Sequence, residues 1–269
     1  MTDVQNIDRA LAAAMSDANL NNVIRQYFNN QTITATALPS HPLTGYRPQT
    51  VSRGDVEYYV QFLHQKGYLA QFDLPNTVFN FLLPRGTVLT SGDVRKNFAH
   101  VSGAEKSDDE KPGERKPIVP ENEEDDSKGG LGGYHGSVHI AGQTVYYSAD
   151  VYSERLADGS ANGIPVFAES WKNIVATLYH ELQEARTDPD VEDAIRNPSD
   201  PNIERKLGWI SDAGEEIGDF PLHDNVSLKN IIREVPLTDG SGTVPVQLQY
   251  SNAVHGPEGP IATLHPAAQ

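Results

Sequence analysis

Tyr179-His180-Glu181-Leu182-Gln183-Glu184-Ala185-Arg186-Thr187-Asp188-Pro189-Asp190 is the stretch that decides how this chain is read. It places one imidazole and the side chains of Glu181, Glu184, Asp188 and Asp190 at the end of a helical pattern that begins near Trp171. At about 100° per residue, Trp171, Ile174, Val175, Leu178, Leu182 and Ala185 fall on one stripe, as a core-facing helix requires. His180 and Glu184 lie one turn apart on the opposite side, with Glu181 at the margin between the two faces. A histidine and a carboxylate at i and i+4 can both reach one metal ion. A glutamate directly after the histidine can reach a water on that ion. This is the logic of the HExxH helix of zinc peptidases, with Glu184 in place of the second histidine.

The rest of the chain suits that chemistry. At 269 residues it is long enough to bury a sizeable core as one domain. Its net charge of −16 argues against binding nucleic acid through phosphates and favours divalent cations or cationic and neutral partners. There is no cysteine, so disulfides and thiolate sites are out and His, Asp and Glu are the available metal ligands. No apolar run approaches the roughly 20 residues of a membrane span. The first residues lack the charged and then apolar segments of a secretory signal.

Around the central helix, periodicity predicts helices over 3–16 and 18–29, joined at Asp17, as an N-terminal layer. It also predicts a strand over 32–38, a Pro-rich loop to Pro48 and a helix from Ser52 to about Gly67. The apolar run 77–83 reads as a strand in the middle of a sheet. Residues 102–130, rich in Asp, Glu and Pro, read as an exposed and mostly disordered acidic insertion that could gate a site or collect calcium. A glycine-dense segment with Gly133-Tyr134-His135 leads into a hairpin that turns at Ala141-Gly142-Gln143. Trp209 to Phe220 forms a second acidic cluster, with Asp212, Glu215, Glu216 and Asp219 in a Gly-punctuated frame. Val244 to Tyr250 is strand-like.

Three motifs occur together: His180-Glu181-Leu182-Gln183-Glu184-Ala185 with Thr187-Asp188-Pro189; Gly208-Trp209 with Asp212, Gly214 and Glu216-Ile217-Gly218-Asp219; and Ser251-Asn252-Ala253 with Gly256-Pro257. With Gly133-Tyr134-His135, this combination resembles a family of bacterial, often secreted, metallopeptidase-like proteins over about residues 76–260. That family is distantly similar to the plant phosphate-induced (exordium-type) proteins. The chain departs from it in having no cysteine and in carrying the acidic insertion. The plant relatives lack the His/Glu pair, so fold alone does not guarantee catalysis.

The resemblance implies a zinc-dependent hydrolase, a metallopeptidase acting on a peptide or protein substrate. In that reading His180 and Glu184 hold Zn²⁺ and Glu181 is the general base. The third ligand is expected from Asp219 or Glu216, with Asp188 as runner-up because it points about 80° away from His180 on an ideal helix. His135 would stabilise an oxyanion or complete the ligand set. The remaining acids, Asp188, Asp212, Glu215 and Asp219, could hold a structural Ca²⁺. The alternative is a non-catalytic, metal-stabilised binding protein of the same fold. The expected fold is α+β or α/β, with a zincin-like helix packed on a mixed central sheet.

Overall fold

The computed structural model describes residues 2–17, 20–21, 23–92, 126–197, 199–211, 215–223 and 227–259. Most of the acidic insertion, Asp212, Gly214 and the last ten residues lie outside them.

The fold is α+β and is arranged around one helix. Helix α1 (Asp3–Ser16) starts in a capping box in which Thr2 and Gln5 satisfy each other's backbone N–H groups. Strand β1 (Thr50–Ser52) runs into α2 (Arg53–Gln65), capped in the same way by Ser52 and Asp55. Strands β2 (Val78–Leu82) and β3 (Val88–Thr90) precede the hairpin β4 (Gly133–Ile140) and β5 (Gln143–Asp150). Ala141 and Gly142 turn that hairpin with φ of 50° and 79°, the left-handed pair a two-residue turn needs. The short strands β6 (Glu154–Arg155) and β7 (Ala161–Asn162) lead to α3 (Ser170–Thr187), then α4 (Val191–Arg196), α5 (Asp219–His223) and α6 (Leu228–Ile231). Strands β8 (Ile232–Pro236), β9 (Thr243–Gln247), β10 (Gln249–Ser251) and β11 (Gly256–Glu258) complete the described chain.

The largest sheet has the order β2-β5-β4, with β2 parallel and β4 antiparallel to β5. Its two faces differ. Tyr134, Val138, Val145, Tyr147 and Ala149 point into an apolar cluster with Val56 and Val60 of α2. The alternate residues Gly133, His135, Ser148 and Asp150 therefore point the other way, toward α3. A Cβ on Gly133 would lie 3.1 Å from the Thr177 methyl and 2.8 Å from Oδ1 of Asp150, so glycine lets helix and strand approach closely.

On its apolar side α3 meets α1 and the β8–β9 hairpin. Ile174, Val175, Leu178 and Tyr179 pack with Ile7, Ala14, Leu20, Val235, Val244 and Val246. The helix is thus enclosed between the three-stranded sheet and the α1/β8–β9 layer, and no helix of the described chain is long and apolar enough to cross a membrane.

Four expectations are corrected. Residues 32–38 form no strand, because among the described residues nothing pairs with them; Leu38 is 58% exposed. Propensity without a partner does not make a strand. Strand β2 is at a sheet edge and not in the middle. Its aromatic side chains are covered from the helical side instead, Phe79 edge-on to Phe72 at 5.3 Å and Phe81 edge-on to Tyr59 at 5.8 Å. The second N-terminal helix is a short 3-10 turn, Ile24–Phe28. The acidic insertion ends earlier than 130: Ser127 is wholly buried, its N–H donating to Leu89 O at 2.9 Å and its hydroxyl to Asn162 at 2.6 Å.

Candidate metal centre

The polar side of α3 is buried, which an amphipathic pattern does not predict. His180, Glu181 and Glu184 are 7%, 4% and 3% exposed. Three segments cover them: β4 with His135, the turn Glu216–Asp219, and Gln247 at the end of β9.

The turn is held by aromatic packing. Trp209 stacks on Tyr250 with ring centroids 3.7 Å apart, and Phe220 sits edge-on to both. Ile217 is wholly buried and its carbonyl accepts from Tyr250 N at 2.7 Å. Gly218 then passes directly over the helix: its N–H and that of Asp219 donate to Oε1 of Glu184 at 2.9 and 3.1 Å. A Cβ on Gly218 would fall 2.7 Å from His180 Nδ1 and 2.8 Å from Glu184 Oε1. Only glycine permits this approach.

Glu184 is thereby oriented, with Oε1 tied to backbone and Oε2 left 3.0 Å from His180 Nε2. Asp219 Oδ1 is 3.5 Å from the same nitrogen. The other ring nitrogen of His180, Nδ1, is 3.2 Å from the side-chain carbonyl of Gln247, whose amide donates to Gly218 O at 2.6 Å. An acceptor at Nδ1 places a proton there, so Nε2 is the nitrogen that faces Glu184 and Asp219.

His135 approaches from β4. Its Nε2 is 2.9 Å from the backbone carbonyl of Asp188, and its Nδ1 is 3.4 Å from Glu181 and 3.8 Å from Oε2 of Glu184. Oε2 of Glu216 lies 3.5 Å from Nε2 of the same ring. Below Glu181, Asp150 is fully buried; one oxygen accepts from Ser148 at 3.0 Å and the other has no hydrogen-bond partner.

The electrostatics are those of acids crowded in a low-dielectric space. Burial, with Glu184 nearby, pushes Glu216 up to about 9. Burial raises Asp188 to about 6 and holds Asp150 well above the usual carboxylate range. For His135, burial alone would lower the imidazole. The hydrogen bond to Glu181 and the charges of Glu216 and Glu184 outweigh it and push it up to about 10. His180 rises for the same reason, burial being overcome mainly by Glu184 and Glu181. Bound cations relieve such crowding.

Among the described residues, two buried or half-buried groups bring one ligand atom from each of three side chains within 4.8 Å of one another. They are His180, Glu184 and Asp219, and His135, Glu184 and Glu216. A third runs from exposed His139 to buried Asp190 and half-buried Asp193; Ser137 bonds Asp190 and Lys206 pairs with Asp193.

Of the residues expected from sequence, His135, His180, Glu181, Glu184, Glu216 and Asp219 converge. Asp188 belongs to neither group: its carboxylate accepts from Gly208 N, and its backbone carbonyl holds His135. Of the set expected for Ca²⁺, Asp212 lies outside the described residues, and Glu215 faces His223 at 2.9 Å and Ser211 at 2.8 Å. Sequence reasoning missed Gln247 and Asp150. The signal for Gln247 is a polar residue in an otherwise apolar strand; Asp150, at the end of a strand, gives none. Compared with protein-family models, curated proteins and solved structures, the chain matches none of them.

Proposed function

We propose that this protein is a zinc-dependent hydrolase of peptide bonds, with His180, Glu184 and Asp219 holding the ion on a zincin-like helix and Glu181 as general base. The observation that carries the reading is the convergence of His180 Nε2, Glu184 Oε2 and Asp219 Oδ1, with the far side of the first two fixed by Gln247 and by the Gly218 and Asp219 amides. Ligands about 2.0–2.2 Å from a tetrahedral zinc sit about 3.3–3.6 Å apart, against 3.0 and 3.5 Å from His180 Nε2 to Glu184 and Asp219. The motif resemblance to bacterial metallopeptidase-like proteins supports the same conclusion.

A bound zinc would polarise a carbonyl and acidify water at neutral pH. The chain's own groups do the rest. Glu181, adjacent to the ligand set and 3.4 Å from His135 Nδ1, accepts a proton from water. Glu181 then delivers that proton to the departing amine, and the His135 ring faces the same cluster. Asp219 is 41% exposed and marks the side from which a substrate reaches the cluster.

A second reading has one observation in its favour. Glu181 is almost wholly buried, so the surrounding segments shield it from a substrate, as in a metal-stabilised binding protein. The test is metal analysis of the purified protein together with Glu181→Ala and a broad peptide library. The hydrolase reading expects bound zinc in both proteins and cleavage reduced about a hundred- to ten-thousand-fold in the variant. Absence of zinc with no cleavage by the parent protein sinks it. Zinc without turnover in either protein favours the binding reading.

A further inference from the structure

We propose that this centre holds two divalent cations, a second ion lying between His135, Glu184 and Glu216, with Oε2 of Glu184 shared between both. The inference rests on the reading of His180, Glu184 and Asp219 as a metal site and extends it.

The two triads meet in one atom. Oε1 of Glu184 is occupied by two backbone amides, whereas Oε2 lies 3.0 Å from His180 Nε2 and 3.8 Å from His135 Nδ1. Each histidine is also held from behind: Gln247 accepts at Nδ1 of His180 and the Asp188 carbonyl accepts at Nε2 of His135. His180 therefore turns Nε2 to Oε2 of Glu184, while Nδ1 of His135 faces Glu181 at 3.4 Å and the same Glu184 oxygen at 3.8 Å, and Glu216 lies 3.5 Å from Nε2 of His135. Ligating histidines are commonly held in this manner through the nitrogen that does not bind the metal. A carboxylate between two imidazoles so oriented is built as a bridge.

The surroundings ask for more positive charge than one ion supplies. Glu181, Glu184, Asp188, Glu216 and Asp219 crowd around two imidazoles, and Asp150 lies beneath Glu181. Oε2 of Glu216 is buried without a hydrogen-bond donor. Buried carboxylate oxygens with no donor are rare, and a cation is one of the few things that accounts for them. Two-metal hydrolytic centres place their ions about 3.5–4 Å apart, a distance a shared carboxylate oxygen spans.

The experiment is stoichiometric. The metal-free full chain is titrated with Zn²⁺ by calorimetry, and bound metal is counted by elemental analysis after desalting. Two equivalents are expected for the parent protein, one for Glu216→Gln with His135→Ala, and one for His180→Ala. One equivalent in the parent, lost in His180→Ala and kept in the His135/Glu216 variant, overturns the second ion and leaves the single-zinc reading standing. No bound ion at all overturns both. Because variants at a buried site can misfold, the parent protein is also loaded with Mn²⁺ and examined by electron paramagnetic resonance. Two ions sharing an oxygen give an exchange-coupled spectrum; a purely uncoupled six-line signal at full occupancy overturns the bridge.

Discussion

Gln247 and His180 are 67 residues apart in the chain, and the amide oxygen of one lies 3.2 Å from Nδ1 of the other. The same Gln247 side chain donates to Gly218 O, so one residue holds both His180 and the turn that carries Asp219. Replacing it with leucine keeps the volume and removes both bonds. Gln247→Leu is expected to weaken zinc affinity about 10–100-fold while leaving the fold intact. Competition with a chromophoric chelator measures this, and an unchanged affinity would refute the orienting role.

Gly218→Ala tests the close approach over α3. The added methyl would sit under 3 Å from His180 and Glu184, so the turn must lift off the helix. Overpacking of this kind costs about 1–3 kcal/mol. The expected result is a lower melting temperature together with loss of bound metal. A variant as stable and as metal-rich as the parent would mean the turn does not lie where it is placed here.

The buried titratable groups fix the sign of a pH dependence for metal-free protein. Asp188 and Glu216 have native values, about 6 and about 9, above those of an unfolded chain. Their contribution is therefore complete below about pH 4 and is lost as pH rises through those native values. His135, raised to about 10, contributes fully below about 6.5 and loses its contribution as pH climbs toward 10. Both kinds of group act in the same direction. Thermal melts in chelator should show stability falling from pH 6 to pH 9. With Zn²⁺ present the fall should shrink or reverse, since a cation replaces the protons and binds better as they leave. A metal-free protein that gains stability across that interval contradicts the buried cluster.

On the opposite side of α3, the Tyr179 hydroxyl donates to Leu20 O at 2.9 Å in a fully buried setting. Tyr179→Phe leaves that carbonyl without its donor and should cost about 1–2 kcal/mol by urea denaturation, with zinc content unchanged. Loss of zinc in this variant would show that the α1 layer and the metal centre are coupled.

Much of the local structure was legible from residue pattern. The length of α3, the Ser52 start of α2 and the Ala141-Gly142 turn follow from periodicity, capping and the left-handed tolerance of glycine. The ligand candidates were legible too, because His180, Glu181 and Glu184 share a helix and Glu216 and Asp219 sit in a glycine frame. What misled was treating each segment alone. Residues 32–38 have strand-like composition and no partner, and β2 has the apolar character of a central strand but is covered by aromatic packing from α2 and the turn before it.

The sequence by itself determined the helix, the chemistry of its polar face and the absence of thiolate ligands, since these depend on residue type and on spacing along one element. Only the tertiary structure decided that this polar face is buried, that Glu184 Oε2 lies between His180 and His135, and that Gln247, Asp188 and Asp150 stand behind them. Those relationships join residues from β4, β5, α3, the 216–219 turn and β9. Their distances are set by how the hairpin and the turn close over the helix, a property of packing that no local pattern encodes.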